Sequence, residues 1–488
     1  MGAAMFFLFA FQRRSGRGAG VPGFFRLRAA FGCALCLLAL MLAPPLRAAE
    51  SPTLPAEVLA ALKSAGISPR HVGVVVQRVD SAQSLIRHNA DQAMNPASVM
   101  KLVTTYAALE LLGPSYLWKT EALEDAAGNL YLRGSGDPRL ALEQFWLLLR
   151  QLRARGVGEI TGDLVLDRSA FALPPHDPAA FDGEPLRPYN VGPDALLINF
   201  RSLHLTLRPD TVGGGVLVLP ETPSAGLQIV NHLRLAEGGC GDWRENLQIS
   251  LDAPTTIGLA GRYAASCGDK ALFLAPWTAD VQAEGLFRAL WRELGGTLRG
   301  RVRAAATPSS AVLIAAHESP SLAEIVRDVN KYSNNVMARQ VFLTLDAVRP
   351  ATPEGARQQV MRWLRGKGLN VSGIMLDNGS GLSRDERISA DALGQLLWAA
   401  WQSPVMPELM ASLPILGVDG TLKKRMNGSA QSGRGHLKTG YLEGVRALAG
   451  YVLDSQNRRW ILVFLINDAK SMAGKPAMDA MLRWIAAQ

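Results

Sequence analysis

The sequence has little charge and little cysteine for its length. Charged residues make up 19% of the 488 residues, hydrophobic residues make up 48%, and only four residues are cysteines. So low a charge content excludes a largely disordered chain and most of the extended, charge-dense proteins that bind nucleic acids. The length predicts two to four domains, each with a hydrophobic core of its own.

Acidic residues are missing from residues 1–49, which contain six arginines. Without these six charges the formal net charge of +9 falls to +3 for the other 439 residues, so we expect no nucleic-acid partner. The apolar run 29–43 follows most of the arginines and is shorter than the roughly 20 residues that cross a bilayer. This order predicts a signal peptide over 1–49 and a periplasmic protein. An uncleaved anchor, with peripheral membrane contact, is the alternative.

Histidine and cysteine are too scattered to indicate a metal site. None of the seven histidines lies at ligand spacing from a cysteine or an acid, so we expect no metal, and no pattern indicates a cofactor. Beyond residue 49 the chain has two cysteines, Cys240 and Cys267. An even number in an exported chain predicts a disulfide, with two buried thiols as the alternative.

Strand-like segments lie at both ends of the chain. Residues 72–79 predict a strand with 84–88 as its hairpin partner, and 437–440, 444–453 and 460–467 predict three consecutive strands. Helical patterns occupy much of the sequence beside them. We therefore predict that the two ends share one sheet, and that the region between them, rich in glycine, proline and strand-like runs, is an insertion.

One local pattern occurs three times: a helix that ends at a glycine, followed by a short strand between glycines. The copies lie within 147–167, 289–302 and 361–377. Each copy predicts a helix, a C-cap glycine and a strand that packs on the helix. The copies are too far apart for a solenoid.

The segment 95–101 combines a helix start with two reactive side chains. Asn95 is a good N-cap residue, and Pro96 suits the first helical position. Ser98 then lies in the first turn, where free N–H groups favour a developing oxyanion. Lys101 lies one turn further along the same face, where a neutral, desolvated lysine can take the serine proton. Ser-x-x-Lys alone is also compatible with an ordinary solvated helix start.

Two further triplets make the pattern specific. Ser-Asn-Asn at 333–335 lies between helical segments, and Lys-Thr-Gly at 438–440 begins a strand. Ser-x-x-Lys with Ser-Asp-Asn and Lys-Thr-Gly is the signature of penicillin-binding proteins and class A β-lactamases. Each triplet is common by itself. All three in this order, with the first at a helix start and the last at a strand start, are strong evidence for this class of protein.

With these motifs the chain resembles the penicilloyl serine transferases. It is most similar to the low-molecular-mass class C penicillin-binding proteins (penicillin-binding protein 4 type), which are exported D-alanyl-D-alanine carboxypeptidases and endopeptidases. The resemblance runs from about residue 55 to the end, with Asn334 in place of the usual Asp. A compact β-lactamase has no room for the 231 residues between Lys101 and Ser333, whereas this family carries inserted domains there.

The resemblance implies a multi-domain α/β (α+β) fold. Its serine β-lactamase/transpeptidase-like domain has an antiparallel sheet flanked by helices and is interrupted by inserted β-rich domains. We place the first part of this domain at 50–121, the insertion at 122–306 and the second part at 307–488.

The resemblance also implies roles for individual residues. Ser98 is expected to be the acylated nucleophile and Lys101 its base. Ser333 is expected to relay a proton to the nitrogen of the leaving D-alanine, and Asn335 to hold the substrate amide.

The Lys-Thr-Gly strand is implied to bind the terminal carboxylate of the substrate through Lys438 and Thr439. The backbone N–H groups of Ser98 and of Tyr441, which follows Gly440, are implied to form the oxyanion hole. Family members usually have Ser or Thr where this chain has Tyr441. The backbone role survives that change, but a hydroxyl contact to the carboxylate is not expected.

A further set of residues matches the family's grip on the zwitterionic end of a diamino-acid side chain. Asp167, with Phe171 nearby, and Arg384 match those positions, and Glu443 is a neighbour beyond the third motif. The residues alone are as compatible with Asp167 as a turn residue and Arg384 as a surface charge as they are with a role in substrate binding.

We therefore expect a serine-type D-Ala-D-Ala carboxypeptidase that acts on peptidoglycan stem peptides through a serine acyl-enzyme. A D-Ala–diaminopimelate endopeptidase activity is left open, and β-lactams are expected to be covalent inhibitors. One alternative is a β-lactamase, which the insertion and the lack of a class A Ω-loop glutamate disfavour. The other is a non-enzymatic penicillin-binding wall protein, which the presence of all nominal catalytic residues disfavours.

Overall fold

The structure is a computed structural model that describes residues 54–488. The predicted signal peptide, residues 1–49, lies outside the described residues. None of the helices within 54–488 combines the length and the apolar character that a membrane span requires.

Strands and helices alternate along the described chain. The strands are β1 Val72–Arg78, β2 Ser84–His88, β3 Ala93–Met94, β4 Lys119–Glu124, β5 Leu130–Gly134, β6 Glu159–Ile160, β7 Leu164–Asp167, β8 Leu203–Asp210, β9 Gly215–Pro220, β10 Gln228–Ala236, β11 Leu247–Ala253, β12 Thr256–Ala264, β13 Lys270–Leu274, β14 Thr297–Leu298, β15 Val302–Ala304, β16 Val312–Glu318, β17 Ile388–Ser389, β18 Gly435–Leu442, β19 Val445–Leu453 and β20 Arg459–Asn467. The α-helices are α1 Ala56–Ser64, α2 Lys101–Leu111, α3 Leu142–Ala154, α4 Ala279–Glu293, α5 Leu322–Lys331, α6 Asn335–Thr344, α7 Pro353–Gly366, α8 Ala390–Trp401, α9 Met406–Ser412 and α10 Lys475–Ala486.

The two ends of the chain share one five-stranded sheet, as predicted. Its order is β18-β19-β20-β1-β2, and every neighbouring pair is antiparallel. The first strand of the chain pairs with the last, with Val75 opposite Val463. The sheet therefore carries the third sequence motif, on β18, at one edge.

Both faces of this sheet are covered, so its central strands are apolar on both sides. Successive side chains of a strand point to opposite faces. Val74 and Val76 of β1 accordingly pack in the core that contains α1 and α10, and Val75 packs in the core that contains α2 and α8. This layering buries α2, the helix that follows the first motif, in the middle of the domain.

The inserted region builds a second five-stranded sheet, in the order β15-β7-β5-β4-β16. The first and the last of its strands along the chain, β4 and β16, pair with each other antiparallel, so the sheet runs from Lys119 to Glu318. The domain boundaries at 121/122 and 306/307 stay predictions. In the structure the first of them falls within β4, and the second lies before β16.

Two copies of the recurring local pattern are partners in the structure. The strands that follow α3 and α4 pair in parallel, β6 with β14 and β7 with β15. The two helices share one core, in which Phe145 and Phe287 lie 6.4 Å apart between ring centroids. The third copy forms α7, but its predicted strand is wrong, because Met375 makes only an isolated bridge to Arg387.

The rest of the insertion is a smaller β-rich module. The sheets β13-β8-β9 and β10-β12-β11 enclose one apolar core. Cys240 and Cys267 form a disulfide with a Cα–Cα distance of 4.7 Å, which confirms the predicted pairing. The bond ties the loop after β10 to the end of β12.

Loss of this disulfide is expected to destabilise the protein. Replacing Cys240 and Cys267 by serine removes a cross-link between residues 27 apart in sequence, which should lower the free energy of unfolding by about 2–4 kcal/mol. Urea denaturation measures the change, and wild-type protein in reductant should match the double variant. A variant as stable as the oxidised wild type would contradict the expectation.

Candidate active site

The Ser98 side chain lies at the entrance to α2. A single 3-10 turn, Ala97–Met100, precedes the α-helix, which begins at Lys101. The Asn95 side chain holds this entry, because its Oδ1 accepts the N–H of Ala97 at 2.8 Å. The predicted helix is therefore present, and Ser98 lies in a tighter first turn than an α-helix has.

Lys101 is fully buried beside Ser98. Its Nζ lies 2.9 Å from Ser98 Oγ and 2.6 Å from Asn335 Oδ1, and it also donates to the carbonyl of Ser380. The predicted nucleophile, its predicted base and one residue of the second motif thus meet at one nitrogen atom.

Burial changes the protonation of Lys101. It places the pKa of the ammonium well below its usual value, and the positive charge of Lys438 lowers it further. The Glu386 carboxylate acts in the opposite direction, and Arg339 adds a smaller lowering effect. A lysine that loses its proton easily has a free electron pair for the serine proton, which is the property that a general base needs.

The second motif joins two helices. Ser333 follows α5 with φ of +57°, a left-handed conformation that turns the chain sharply. Asn334 caps α6, because its side chain accepts the N–H of Met337 at 3.0 Å. Asn and Asp are both good N-cap residues, so Asn334 can cap the helix as the usual Asp does. Asn335 then begins α6 and turns its side-chain oxygen to Lys101.

The third motif supplies a second buried lysine. Lys438 on β18 is fully buried, and its Nζ donates to Ser333 Oγ and to the carbonyl of Thr439, both at 2.8 Å. Burial lowers the pKa of Lys438 to about 7. The structure therefore brings together two lysine–serine pairs, one for each of the serines that the sequence singles out.

Gly440 lets β18 lie directly against the Ser98 turn. A Cβ atom at this position would be 2.5 Å from the carbonyl oxygen of Pro96 and 3.2 Å from the Ala97 side chain. The close approach places the backbone after Gly440 beside the serine. The Tyr441 side chain is 55% exposed, and Thr439 Oγ1 lies 2.9 Å from Thr421 Oγ1.

Arg384 and Glu443 meet at the rim of the site. The Arg384 guanidinium donates to the backbone oxygen of Glu443 at 3.2 Å and lies 3.6 Å from its carboxylate. The same guanidinium covers the ring of Phe181 at 4.8 Å from the centroid. Sequence reasoning missed Phe181, since nothing in its local pattern distinguishes it from other residues of a long loop.

Asp167 and Phe171 are not in contact with Arg384. Asp167 is 1% exposed, and its two oxygens accept the N–H groups of Ser169 and Thr307 at 2.9 and 2.8 Å. Burial opposes the charge of Asp167, but these hydrogen bonds outweigh it and lower the pKa of the carboxyl. Phe171 packs in a small apolar cluster that joins the inserted region to Leu343 and Ala351 of the catalytic domain. A substrate role for either residue stays a prediction.

Within residues 54–488 no cluster of three or more metal-ligating side chains is present.

The chain matches the D-Ala-D-Ala carboxypeptidase 3 (S13) family over residues 54–488. It belongs to the S13 family. It is 32% identical over 420 residues to the D-alanyl-D-alanine carboxypeptidase of Actinomadura sp. (strain R39), which covers 78% of this chain and 74% of the relative. The identity to the D-alanyl-D-alanine carboxypeptidase DacB of Haemophilus influenzae is 26%, over 81% of this chain and 85% of the relative.

The fold of this S13 enzyme is similar to that of a solved relative. The crystal structure of penicillin-binding protein 4 of Haemophilus influenzae matches with a TM-score of 0.72 at 24% identity, and covers 87% of this chain and 99% of that chain. The predicted fold class and the predicted serine-type D-Ala-D-Ala carboxypeptidase are confirmed.

Sequence reasoning missed an acid behind the S13 site. Glu386 is fully buried, and its Oε1 accepts the backbone N–H groups of Asp377, Asn378 and Gly379 at 3.3, 3.1 and 2.9 Å. Its Oε2 has no hydrogen-bond partner in the described chain. Burial raises the pKa of Glu386 to about 7. In the sequence it looks like a surface residue, because it stands among Arg384, Asp385 and Arg387.

Glu386 is linked to Lys101 through the loop 377–380. The three N–H bonds hold this loop, and the loop's last carbonyl, at Ser380, accepts from Lys101. Gly381 follows, and a Cβ there would lie 2.7 Å from the Cα of Ser98. The loop therefore fits directly against Ser98 and Lys101.

The variant Glu386→Gln is expected to move the pH dependence of acylation. The amide keeps an acceptor oxygen but removes a negative charge that raises the pKa of Lys101. Lys101 then stays neutral to lower pH, so the acid limb of the acylation rate with a penicillin should shift to lower pH. Stopped-flow acylation across the neutral pH range measures this shift.

Glu57→Gln, at an exposed glutamate on α1, is the matched control and should leave the profile unchanged. A Glu386→Gln profile that falls in height without moving along the pH axis would limit Glu386 to a structural role.

Proposed function

We propose that this S13 enzyme removes the terminal D-alanine from peptidoglycan stem peptides by acylation of Ser98. The observation that carries the proposal is the pairing of Ser98 with the buried Lys101, beside the Ser333–Lys438 pair. Two buried lysines, each bonded to a serine, provide a base for attack and a proton donor for the leaving group.

Acylation begins when Ser98 Oγ attacks the carbonyl carbon of the scissile peptide bond. The hydroxyl proton passes to neutral Lys101 Nζ, which is 2.9 Å away. The backbone N–H groups of Ser98 and Tyr441 stabilise the oxyanion that forms. The close packing of Gly440 on the Ser98 turn supports this role.

Collapse of the tetrahedral intermediate breaks the C–N bond. Ser333 donates its hydroxyl proton to the nitrogen of the leaving D-alanine, and the proton held on Lys101 replaces it. Lys101 is then neutral again and activates the water that attacks the ester. The proton of that water returns to Ser98 Oγ, so atoms and charge balance over the cycle.

The substrate is held on both sides of the scissile bond. Asn335 Oδ1 is bonded to Lys101, which leaves Nδ2 to donate to the carbonyl of a substrate amide. Lys438 and Thr439 bind the terminal carboxylate, which keeps Lys438 protonated in the complex.

The protein acts outside the cytoplasm in this proposal. The basic and apolar pattern of residues 1–49 supports export to the periplasm, where peptidoglycan is the substrate. The D-Ala–diaminopimelate cross-link is a second proposed substrate, because its scissile bond also follows a D-alanine.

The variant Ser98→Ala is expected to abolish covalent labelling by a fluorescent penicillin. A β-lactam acylates the nucleophile without a leaving group that diffuses away, so the wild-type protein should keep one label per molecule. The fluorescence of the protein band on a denaturing gel measures the covalently bound label.

Ser310→Ala, at an exposed serine, is the control and should label like the wild type. Rapid loss of label with hydrolysis of the penicillin would assign a β-lactamase. No label on the wild type would contradict the covalent mechanism.

The variant Arg384→Ala is expected to lose selectivity for peptides with a zwitterionic side chain. The guanidinium offers a partly exposed cation beside Phe181, and a hydrogen bond to a charged group contributes enough for about a tenfold change in kcat/KM. Release of D-alanine from diaminopimelate-containing peptide, compared with the N-acetyl-lysine analogue, measures the selectivity.

The same pair of peptides tests Asp167. A selective loss of activity on the diaminopimelate peptide in Asp167→Asn would place Asp167 in the specificity pocket. Equal losses on both peptides would assign its carboxylate to the backbone contacts with Ser169 and Thr307.

A further inference from the structure

A groove leaves the proposed catalytic centre on the side of Ser333. Its volume is about 560 Å³, within the range of about 300–1,000 Å³ that small-ligand sites occupy. Ser333 and Asn335 form one end of the groove, and residues of the inserted region form the other. We call it the aromatic groove. The groove is continuous with the centre, so a substrate held by Ser333 and Asn335 extends into it.

Exposed aromatic side chains line this groove. Tyr332 is 65% exposed, Phe273 45% and Tyr189 40%. Tyr332 comes from the catalytic domain, and the other two come from the inserted region. Phe273 stacks on His204 with 4.3 Å between the ring centroids, so its ring is held in place from behind. Rings that are exposed and fixed are suited to stacking on a flat partner.

The backbone of the groove wall is unusual. Asn199, Phe200 and Arg201 are consecutive and have φ of +47°, +52° and +51°. Such a run of non-glycine residues is strained, and strain of this kind is kept where the surroundings hold it, often at binding sites. Here Asn199 holds the turn by donating its N–H to the carbonyl of Leu140 at 2.8 Å.

The charge of the groove selects among the parts of the substrate. Apart from its two tyrosines, its ionisable lining residues are Glu143, Glu221 and His204, and no lysine or arginine of the described chain lines it. A second stem peptide carries carboxylates and would meet like charge. The sugars of the glycan strand are uncharged where they join the peptide, and their rings present C–H faces and hydroxyl groups.

We propose that the aromatic groove binds the glycan strand that carries the peptide being cleaved. Sugar rings stack on Phe273, Tyr189 and Tyr332, while their hydroxyl groups bond to the polar lining, including the exposed carboxylates of Glu143 and Glu221. This inference rests on the proposed function. It adds a sugar subsite to a peptide-cleaving centre.

The test compares two substrates that differ only in the glycan. One is the pentapeptide attached to the N-acetylglucosamine–N-acetylmuramate disaccharide, and the other is the free pentapeptide. The wild type should cleave the first with a kcat/KM about tenfold higher, as expected for two or three stacked rings. In the double variant Phe273→Ala/Tyr189→Ala this ratio should fall towards one.

Val212→Ala, at a residue that is 98% exposed and does not line the groove, is the matched control and should keep the wild-type ratio. Titration with fluorescent penicillin counts the active sites of every preparation, so a poorly folded variant is not mistaken for a selective one.

Different experimental results overturn the proposed function and the glycan subsite. A wild type that does not react with penicillin overturns the proposed function. A wild type that reacts but has equal kcat/KM for both substrates, or a double variant that keeps the preference, overturns the glycan subsite alone. If the double variant instead loses activity on a glycan-free cross-linked peptide dimer, the groove binds a second peptide and the glycan proposal is wrong.

Discussion

The site depends on the burial of two ammonium groups without a carboxylate bonded to either. Lys101 and Lys438 are both fully buried, and their nitrogens bond to serine hydroxyls, an amide oxygen and backbone carbonyls. Burial of an unpaired charge costs several kcal/mol, and loss of the proton relieves this cost. Burial therefore favours the conversion of these ammonium groups into neutral amines, which is the form that the proposed base Lys101 needs. A neighbouring carboxylate bonded to either nitrogen would undo this conversion.

Such a site needs a rigid surrounding, and the topology provides it. Helix α2 starts at Lys101 and is buried along most of its length between the sheet and the helices α5 and α6. The edge strand β18 packs against the start of the same helix. Gly440 permits this close approach because it has no side chain. Three elements far apart in the sequence thus meet at one point, although the insertion separates the first from the other two. Because the first and last strands of the inserted sheet along the chain, β4 and β16, pair with each other, the chain leaves and re-enters the catalytic domain at neighbouring places.

The sequence allowed prediction of the parts that are local or carried by motifs. The shared sheet needed only hydrophobic periodicity, and the disulfide needed only an even number of cysteines. The grouping of Ser98, Lys101 and the two later triplets rested on a known motif signature and on the family resemblance that it implies. Glu386 and Phe181 could not be predicted in this way. A glutamate in a charged stretch is normally exposed, and its burial here results from packing of the loop 377–380 against α2. Phe181 matters because it contacts the guanidinium of Arg384, which is far away in the sequence, and no local pattern encodes that contact.

The inserted region contributes to both sides of the centre. On one side Phe181 lies under the Arg384 guanidinium, and on the other Tyr189 and Phe273 line the aromatic groove. The hydrogen bonds that the two lysine nitrogens make within the described chain come from other residues. In the proposed function, chemistry and selection are carried by different layers of the molecule, since proton transfer needs buried, rigid groups whereas recognition of a polymer needs exposed ones. Under these two proposals, a change in the inserted loops alters which peptides and glycans are accepted, while the pKa of Lys101, which depends on burial and on Lys438 and Glu386, stays the same.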